Sequence, residues 1–236
     1  MRYLKSLLCV SALALAVSPA IQARPGAQEG PSTSIAGGGI HVPGWMGKVD
    51  ANEAKAGLSV NSAKFVAEGA NIHVTTGPAT TYWNPANKAS GDYTVKATFT
   101  ESDFMGLNDH AHPYGIMIGG NDLGTDNQSY IYCSAYGNGT FIVRGMGPAP
   151  FKVSASRATA NEAVHKAEAQ HKPVTQEIAM QVKGDSISCI INGTTVGTYP
   201  KSEVIGEGKL KSTDGVYGIR FAHNTDGVVS GLTVVK

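Results

Sequence analysis

The chain has 236 residues, and its 19 Lys+Arg and 18 Asp+Glu give a formal net charge of +1 at pH 7. This near-neutral balance, without a basic block, argues against nucleic acid or an anionic membrane as the partner. The three cysteines form no Cys-x-x-Cys pair, which argues against a structural zinc site.

The N-terminus has the three-part pattern of a secretory signal peptide. A charged start precedes an apolar run over 7–17, and small residues lead up to Ala20 and Ala23. That run is too short to span a bilayer, which needs about 20 apolar residues. We therefore expect a signal peptide over 1–23, cleaved after Ala23 or Ala20. We also expect a secreted or periplasmic protein, with no membrane insertion after signal removal.

The remaining chain divides into a leader and one domain. Residues 24–39 are rich in Gly, Pro, Ser and Ala without an apolar period, which predicts a flexible leader. From residue 40 to 236, short runs of alternating apolar residues are separated by Gly, Asn, Asp and Pro, which is typical of strands and turns. We predict strands at 64–67, 71–76, 80–83, 92–101, 114–119, 129–136, 140–144, 175–183, 186–191, 194–199, 216–223 and 228–235. So many strands in one domain predict an all-β, two-sheet jelly-roll sandwich.

One segment departs from the strand pattern. Within 152–172, residues 161–168 have helix-forming composition, and Asn161 is a plausible N-cap. We predict a short helix or ordered excursion on a sandwich edge there, with a solvated connection as the alternative. A single helical turn is also predicted at 201–204.

The hairpin from 175 to 191 can be tested by parity, because facing residues of an antiparallel pair lie on the same side. A two-residue turn at Gly184-Asp185 gives three apolar pairs: Val182–Ile187, Met180–Cys189 and Ile178–Ile191. The next turn, Asn192-Gly193, is a strong hairpin signal and sets Cys189 against Val196.

The hairpin around 137–139 has two candidate registers. A two-residue turn would pair Cys133 with Arg144 and bury a charge. A three-residue loop with Gly139 in the left-handed region instead gives the pairs Cys133–Val143, Ala135–Phe141 and Tyr132–Arg144. We predict the three-residue loop.

One side of the strand over 129–136 carries ring-bearing side chains. Tyr130, Tyr132 and Tyr136 share one parity, while Ile131, Cys133 and Ala135 share the other, so the two sets face opposite sides of the sheet. Sugars bind to aromatic rings and to planar amide, carboxylate or guanidinium groups. We predict a carbohydrate site formed by Tyr130, Tyr132, Tyr136 and Arg144, with Trp83 and Asn127 as further contacts. The alternative is a solvent-facing sheet whose tyrosines only satisfy β propensity.

Cys133 and Cys189 both have core-facing parity in predicted strands. In an exported protein they can form a disulfide. Buried free thiols are also common in apolar cores, and the sequence leaves both states open.

Several motifs resemble a known superfamily. They are His-Pro-Tyr-Gly-Ile-Met-Ile-Gly-Gly-Asn-Asp-Leu over 112–123, Tyr-Ile-Tyr over 130–132, Gly-Thr-Phe-Ile-Val-Arg over 139–144, and the later segments 182–185, 191–193 and 215–224. They resemble bacterial exported domains of the concanavalin A-like lectin/glucanase superfamily, near the uncharacterised group that borders the 3-keto-disaccharide hydrolase-like domains. The resemblance implies a curved sandwich whose concave sheet often meets carbohydrate.

Catalytic candidates are limited to loop residues. Glycoside hydrolysis normally needs two carboxyl groups about 5 to 10 Å apart. Asp122 and His223 are the groups to test first, and Asp103, Asp109 and Asp126 lie in neighbouring loops. Loop acids more often cap turns, and the Glu-x-Asp-x-x-Glu strand of laminarinase-type enzymes is absent.

Metal ligands are equally sparse. Asp122, Asp126 and Asn127 carry the oxygen ligands that Ca²⁺ prefers, although their spacing does not match an EF-hand loop. His110-Ala111-His112 can place two imidazoles on one side of an extended segment, and an exposed loop is the favoured interpretation. We expect no resident cofactor, with Ca²⁺ as the one candidate.

These features favour an exported, lectin-like carbohydrate-binding protein without catalysis. The alternatives are a glycoside hydrolase acting on a (3-keto-)disaccharide or glucan, and a structural or adhesion module.

Overall fold

A computed structural model describes residues 30–236, and residues 31–236 form one compact unit. The predicted signal peptide over 1–23 and the first part of the leader lie outside the described residues. Within the described range, the helices are too short or too polar to cross a membrane.

The described chain contains sixteen strands, two short α-helices and one 3₁₀ turn. In chain order they are β1 Gly39–Ile40, β2 Met46–Val49, α1 Ala51–Lys55, the 3₁₀ turn Val60–Ser62, β3 Lys64–Glu68, β4 Asn71–Thr75, β5 Thr80–Ala89, β6 Tyr93–Glu101, β7 Pro113–Asn121, β8 Ser129–Tyr136, β9 Thr140–Met146, β10 Pro150–Lys152, β11 Thr159–Ala160, β12 Val174–Lys183, β13 Ser186–Ile191, β14 Thr194–Pro200, α2 Lys201–Val204, β15 Gly215–Phe221 and β16 Asp226–Val235.

The strands form two sheets that face each other. Sheet A has the order β1-β3-β4-β16-β6-β12-β13-β14, and sheet B has the order β10-β9-β8-β7-β15-β5-β2, with β11 pairing with β9. Apart from the parallel β1–β3 pair, the described strand pairs are antiparallel. The predicted all-β, two-sheet jelly-roll sandwich is confirmed.

The main core lies between the two sheets because alternate residues of each strand point inward. Phe99 of sheet A packs against Tyr114 and Phe221 of sheet B, with ring centroids 5.6 and 6.0 Å away. Phe65 stacks on Tyr82 at 4.6 Å in the same way. Each such ring contributes about 1.5–3 kcal/mol by burial, so these contacts fix how the sheets face one another.

A disulfide joins the two sheets through this core. Cys133 of β8 and Cys189 of β13 are both 0% exposed, and their Cα atoms lie 5.8 Å apart. That separation falls within the range that a disulfide spans. The sequence left this pairing open, and the structure forms it.

The predicted hairpin registers are largely confirmed. Ile178, Met180 and Val182 pair with Ile191, Cys189 and Ile187 as expected. In the hairpin of β8 and β9, Tyr132 faces Arg144, and Gly139 has the left-handed φ of 87° that the three-residue loop requires.

One register prediction is wrong. Cys189 pairs with Gly197 rather than with Val196, because the register shifts between Cys189 and Ile190. This β-bulge leaves Val196 without an opposing residue, and a local insertion of this kind is not visible in parity.

The segment 161–168 forms an ordered excursion, as one of the predictions had it, but the helix predicted there does not form. Asn161 Oδ1 accepts a hydrogen bond from Ala163 N at 2.9 Å, which forms a turn. The backbone of this segment then bonds to other parts of the sandwich, with His165 N donating to Gln176 Oε1 at 3.0 Å and Ala167 N donating to Gly137 O at 2.8 Å. These partners replace the i−4 bonds of a helix. The single helical turn predicted at 201–204 forms as α2.

The described part of the predicted leader is held against the domain. Thr33 donates from both its backbone N and its Oγ1 to Asn224 Oδ1, each at 2.9 Å. Ile35 N donates to Ser62 O at 3.0 Å, and β1 then pairs with β3. Residues 33–39 therefore differ from the flexible leader that composition suggested, because their backbone groups have partners in the sandwich.

Candidate functional site

The side of sheet B that points away from the main core, hereafter the outer face, carries a second apolar cluster. Trp83, Met117 and Tyr130 are its buried members, at 3%, 0% and 1% exposure. Leu123, Tyr132, Met146 and Val216 pack against them and are only partly buried. Ile131, Cys133 and Ala135 of β8 belong to the main core instead, so the predicted division of the two faces is confirmed.

A buried ion pair lies beside this cluster. Arg220 of β15 is 8% exposed, and its Nη1 and Nη2 donate to the two carboxylate oxygens of Asp50 at 2.8 and 2.5 Å. Nη1 also donates to Thr81 Oγ1 at 2.9 Å. A bidentate guanidinium–carboxylate pair fixes the orientation of both groups.

The same guanidinium organises the two tyrosines. Arg220 Cζ lies 4.9 Å from the ring centroid of Tyr132, which is a cation–π contact. The Tyr130 hydroxyl lies 3.3 Å from Arg220 Nη1 and 2.8 Å from Thr81 Oγ1. The tyrosine rings are therefore held in place rather than free to turn in solvent.

The pKa values of these groups follow from burial and from the ion pair. Burial, the largest single influence, lowers the pKa of Arg220, but Asp50, Tyr130 and Tyr132 together outweigh it and the pKa lies well above its ordinary value. Burial raises the pKa of Tyr130 to about 12, although the charge of Arg220 opposes that shift. Around neutral pH the outer face therefore holds a permanent cation on Arg220 and a neutral phenol on Tyr130.

A cavity of about 440 Å³ opens beside the outer face. Its polar lining includes Lys48, Asp50, Asn52, Thr125, Asp126 and Gln128. Its apolar lining includes Met146, which belongs to the outer-face cluster, and Pro148. The cavity thus combines amides, carboxylates and an ammonium group with an apolar wall.

The loop over 122–128 forms one wall of this cavity and covers Trp83. Lys48 Nζ donates to Thr125 O at 2.6 Å and to Asp126 Oδ1 at 3.3 Å. A Cβ built on Gly124 would lie 3.6 Å from Trp83 Cζ2, so the loop backbone lies on the indole. This contact explains why Trp83 is buried instead of available for stacking on a ligand.

The predicted sugar-binding residues do not all converge. Tyr132 is half-buried beside Arg220, whereas the side chains of Tyr130 and Trp83 are buried in the outer-face cluster. Tyr136 lies on the same side near the other end of β8, opposite Pro113. Asn127 is exposed in the loop over 122–128, where its backbone N donates to Thr125 Oγ1 at 3.1 Å.

Arg144, a predicted ligand contact, is hydrogen-bonded to backbone carbonyls of its own sheet edge. Its Nη2 donates to Ala155 O and Ser156 O at 2.8 and 2.9 Å, and its Nη1 lies 3.3 Å from Ser154 O. The guanidinium is occupied by backbone carbonyls and ties the segment 154–156 to β9. These hydrogen bonds stabilise the position of that segment against the sheet.

The two catalytic candidates, Asp122 and His223, lie at opposite ends of sheet B. Phe221 pairs with Tyr114, and His223 follows Phe221 beyond that end of the sheet. Asp122 follows the other end of β7, so the two residues are separated by roughly 25 Å at the rise of a strand. They cannot act together on one scissile bond, for which groups must lie about 5 to 10 Å apart.

The candidate calcium ligands Asp122 and Asp126 form ion pairs with two different lysines. Asp122 forms an ion pair with Lys211, and Asp126 forms one with Lys48. Across residues 30–236, no group of three or more His, Cys, Asp or Glu side chains is arranged to hold a metal ion. Ca²⁺ binding by Asp122 and Asp126 stays a prediction.

The other loop residues form small polar contacts at the end of the sheet near His223. Asp103 Oδ1 lies 2.7 Å from His171 Nδ1. Asp109 Oδ1 lies 2.6 Å from His110 Nδ1, and this hydrogen bond lowers the pKa of Asp109. The rings of His110 and His112 meet, with centroids 4.3 Å apart.

Sequence reasoning missed Arg220, Asp50 and Lys48. The sequence contained one indication of Arg220. It lies between Ile219 and Phe221, so its side chain points to the side of the sheet away from the core. Asp50 is 170 positions away from it, and it follows β2, a strand that was not predicted.

Comparisons with known proteins identify the fold. No protein-family model matches the chain, and no curated protein sequence matches it significantly. Among solved structures, it is similar to the carbohydrate-binding module CBM66 from Bacillus subtilis, at 10% identity over 84% of this chain and 99% of that chain, with a TM-score of 0.55. It is also similar to a Bacillus subtilis protein of unknown function with a galectin-like fold, at 12% identity over 80% of this chain and 88% of that one, with a TM-score of 0.54.

The fold is therefore a concanavalin A-like jelly roll, as the motifs had indicated. At these identities the likeness is one of fold. The finer resemblance to the 3-keto-disaccharide hydrolase-like domains stays a prediction.

Proposed function

We propose that this protein is an exported, lectin-like carbohydrate-binding protein whose ligand occupies the cavity beside the outer face of sheet B. The observation that carries the proposal is the composition of that cavity. It joins the polar side chains of Asn52, Gln128 and Lys48 to the apolar wall formed by Met146. A volume of about 440 Å³ lies within the range of ordinary ligand sites.

The chemistry of the lining suits a sugar. A pyranose presents an apolar face and a rim of hydroxyl groups, so it needs an apolar surface together with donors and acceptors. Met146, Pro148 and Pro150 offer the apolar surface. Asn52 and Gln128 supply both donors and acceptors, and Lys48 supplies donors.

Preorganisation of the outer face strengthens this argument. The Asp50–Arg220 pair and the cation–π contact fix Tyr132 without a ligand. Lys48 ties the loop over 122–128 to β2. A site whose side chains are already ordered loses less conformational entropy when it binds. The fold similarity to a carbohydrate-binding module is consistent with this use of the sandwich.

Export is supported by the intersheet disulfide, because disulfides persist in oxidising compartments such as the periplasm and the extracellular space. The predicted signal peptide points the same way.

A glycoside hydrolase acting on a (3-keto-)disaccharide or a glucan is the second candidate. Asp50 and Asp126 both line the cavity, so two carboxylates border the place where a glycosidic bond would lie. Binding without cleavage is favoured because both oxygens of Asp50 are engaged by Arg220. A general acid in this reaction must instead carry and deliver a proton.

A thermal-shift screen against a glycan panel that includes oxidised disaccharides, with product analysis of each sample, tests the proposal. A ligand at 100 times its dissociation constant stabilises by roughly 2.7 kcal/mol. We expect a shift that is lost in Asn52→Ala and kept in Gln170→Ala, an exposed amide outside the cavity lining. Asn52 is itself exposed in α1, so its replacement by Ala preserves the helix.

The outcomes separate the three functions. A shift without products supports the binding protein. Cleavage products that disappear in Asp126→Asn would replace it with the hydrolase. Absence of any shift across the panel would refute both and leave the structural or adhesion module.

A further inference from the structure

The charged side chains around the cavity beside the outer face do not cancel. Asp50 is paired with Arg220, and Asp126 is paired with Lys48 at 3.3 Å. Lys55 is the remaining charged residue of the lining, and it has no hydrogen-bond or ion-pair partner among residues 30–236. Three cations therefore accompany two carboxylates, which leaves one positive charge at the cavity without a counter-charge.

Helix α1 places this charge beside an amide. Lys55 and Asn52 both line the cavity, and residues three apart are neighbours on a helix surface. The acidic residue of α1, Glu53, is bonded elsewhere, since its Oε1 accepts from Ser32 Oγ at 2.8 Å and from Ala79 N at 3.4 Å. Residues two apart on a helix do not face each other, so Glu53 does not neutralise Lys55.

The acceptor groups of the lining already have partners. Gln128 Oε1 accepts from Gly124 N at 3.3 Å, and both carboxylates accept from their cations. By contrast, Lys55 Nζ and the side-chain amide nitrogens of Asn52 and Gln128 have no hydrogen-bond partner within the described part of the chain. A ligand that fits this lining supplies acceptors, and one of them carries a negative charge.

We propose that the ligand of this cavity is an acidic saccharide, in which the carboxylate of a hexuronic acid unit is bound by Lys55 Nζ and Asn52 Nδ2. The inference rests on the proposed function, because it names the class of sugar for the same site. A carboxylate has two acceptor oxygens for these two donors, and hydrogen bonds between ionised groups are shorter and stronger than neutral ones. Gln128 Nε2 remains for a ring hydroxyl, and Met146 remains for the apolar face of the sugar.

Lys55, rather than Lys48, is the residue that selects the acidic sugar. Lys48 Nζ donates to Thr125 O at 2.6 Å and to Asp126 Oδ1 at 3.3 Å. A ligand that recruited Lys48 would break these bonds and release the loop over 122–128 from β2. Lys55 is exposed in α1 and can bind an anion without losing any contact of this kind.

The test is titration calorimetry with trisaccharides of galacturonic, glucuronic, mannuronic and guluronic acid, each compared with its methyl ester, and with a panel of neutral glycans. The ester keeps the ring and its hydroxyl groups but removes the charge. We expect at least one acid to bind about tenfold more tightly than its ester, as a charge-assisted hydrogen bond predicts. This preference should shrink between about 0.05 M and about 0.5 M salt, because salt screens exposed charges.

The diagnostic variant is Lys55→Met, which keeps the alkyl chain and has a similar helix propensity. It should bind the acid no more than about twofold better than the ester, with the affinity for the ester unchanged. Lys55→Arg retains the charge and should retain the preference for the acid. The matched control is Lys64→Met, at an exposed position of β3 outside the lining, and it should leave both affinities unchanged.

The outcomes distinguish this inference from the proposed function. Equal affinities of the wild-type protein for acid and ester, or a preference for the acid that persists in Lys55→Met, would overturn the inference. Binding of a neutral glycan but of none of the acids would also overturn it, while the carbohydrate-binding function would stand. Absence of binding to every saccharide would refute the proposed function itself, and the inference with it.

Discussion

Glu101, the last residue of β6, provides a test of how burial sets the pH dependence of stability. It is 5% exposed, and its Oε1 accepts a hydrogen bond from Met105 N at 3.2 Å. Oε2 has no hydrogen-bond partner among the described residues. Burial is the main reason that its pKa rises from 4.5 to about 7, and the charges of Asp226 and Asp103 add to it.

The sign of the effect follows from proton binding. Between pH 4.5 and about 7, the folded protein holds a proton on Glu101 that the unfolded chain has lost, so stability falls as pH rises through this window. A shift from 4.5 to about 7 corresponds to about 3 kcal/mol at pH 8.5 and to less than about 1 kcal/mol at pH 5.

The perturbation is Glu101→Gln, which keeps an oxygen for Met105 N and removes the ionisable group. We expect the variant to gain about 3 kcal/mol over wild type at pH 8.5 and little at pH 5. Urea unfolding at both pH values, with the disulfide intact, measures the difference, and other titrating groups cancel between the two proteins. Glu162→Gln, at an exposed position, controls for the chemical change.

Parallel stability curves for wild type and Glu101→Gln across pH 5 to 8.5 would refute this reasoning. They would mean that Glu101 does not titrate differently in the folded and unfolded states.

Three further predictions concern the core and the outer face. The intersheet disulfide joins cysteines that are 56 positions apart, and its reduction should lower the unfolding free energy by about 4 kcal/mol. Titration of two thiols verifies that the sample is reduced. Equal urea midpoints for the oxidised and reduced proteins would contradict this prediction. Asp50→Asn should lower the unfolding free energy by about 3 kcal/mol, because it leaves Arg220 buried without its counter-charge. The double variant Asp50→Asn/Arg220→Met should recover part of that loss, as measured by urea unfolding. Arg144→Gln should speed hydrogen exchange in 154–156 while leaving glycan affinity intact, and a loss of affinity equal to that of Asn52→Ala would place Arg144 in the site.

Much of the fold could be predicted because local pattern and pairing agree in this chain. Val182 and Ile187 take facing positions once Gly184-Asp185 is given a two-residue turn, and the structure confirms that register. The prediction failed at Val196, where a bulge inserts one residue into β14. Alternation of apolar residues cannot reveal such an insertion, because an extra residue in one strand leaves the pattern of its partner strand unchanged.

The candidate site was less predictable because its contacts join distant parts of the chain. Parity placed Tyr132 on the outer face correctly, but it could not show that Arg144 turns to the carbonyls of 154–156. The guanidinium that does reach Tyr132 comes from Arg220. Its partner Asp50 follows a four-residue strand whose short length gives little periodicity to detect.

The burial of the intersheet disulfide sets an order of events in biogenesis. Thiol–disulfide exchange requires that the attacking sulfur reach its target, and Cys133 and Cys189 are both 0% exposed in the folded sandwich. The bond must therefore form while the two sheets are still open. A chain that closed its core before meeting an oxidant would enclose two thiols and stay reduced until it opened again, so oxidation during the first folding in an oxidising compartment determines which form accumulates.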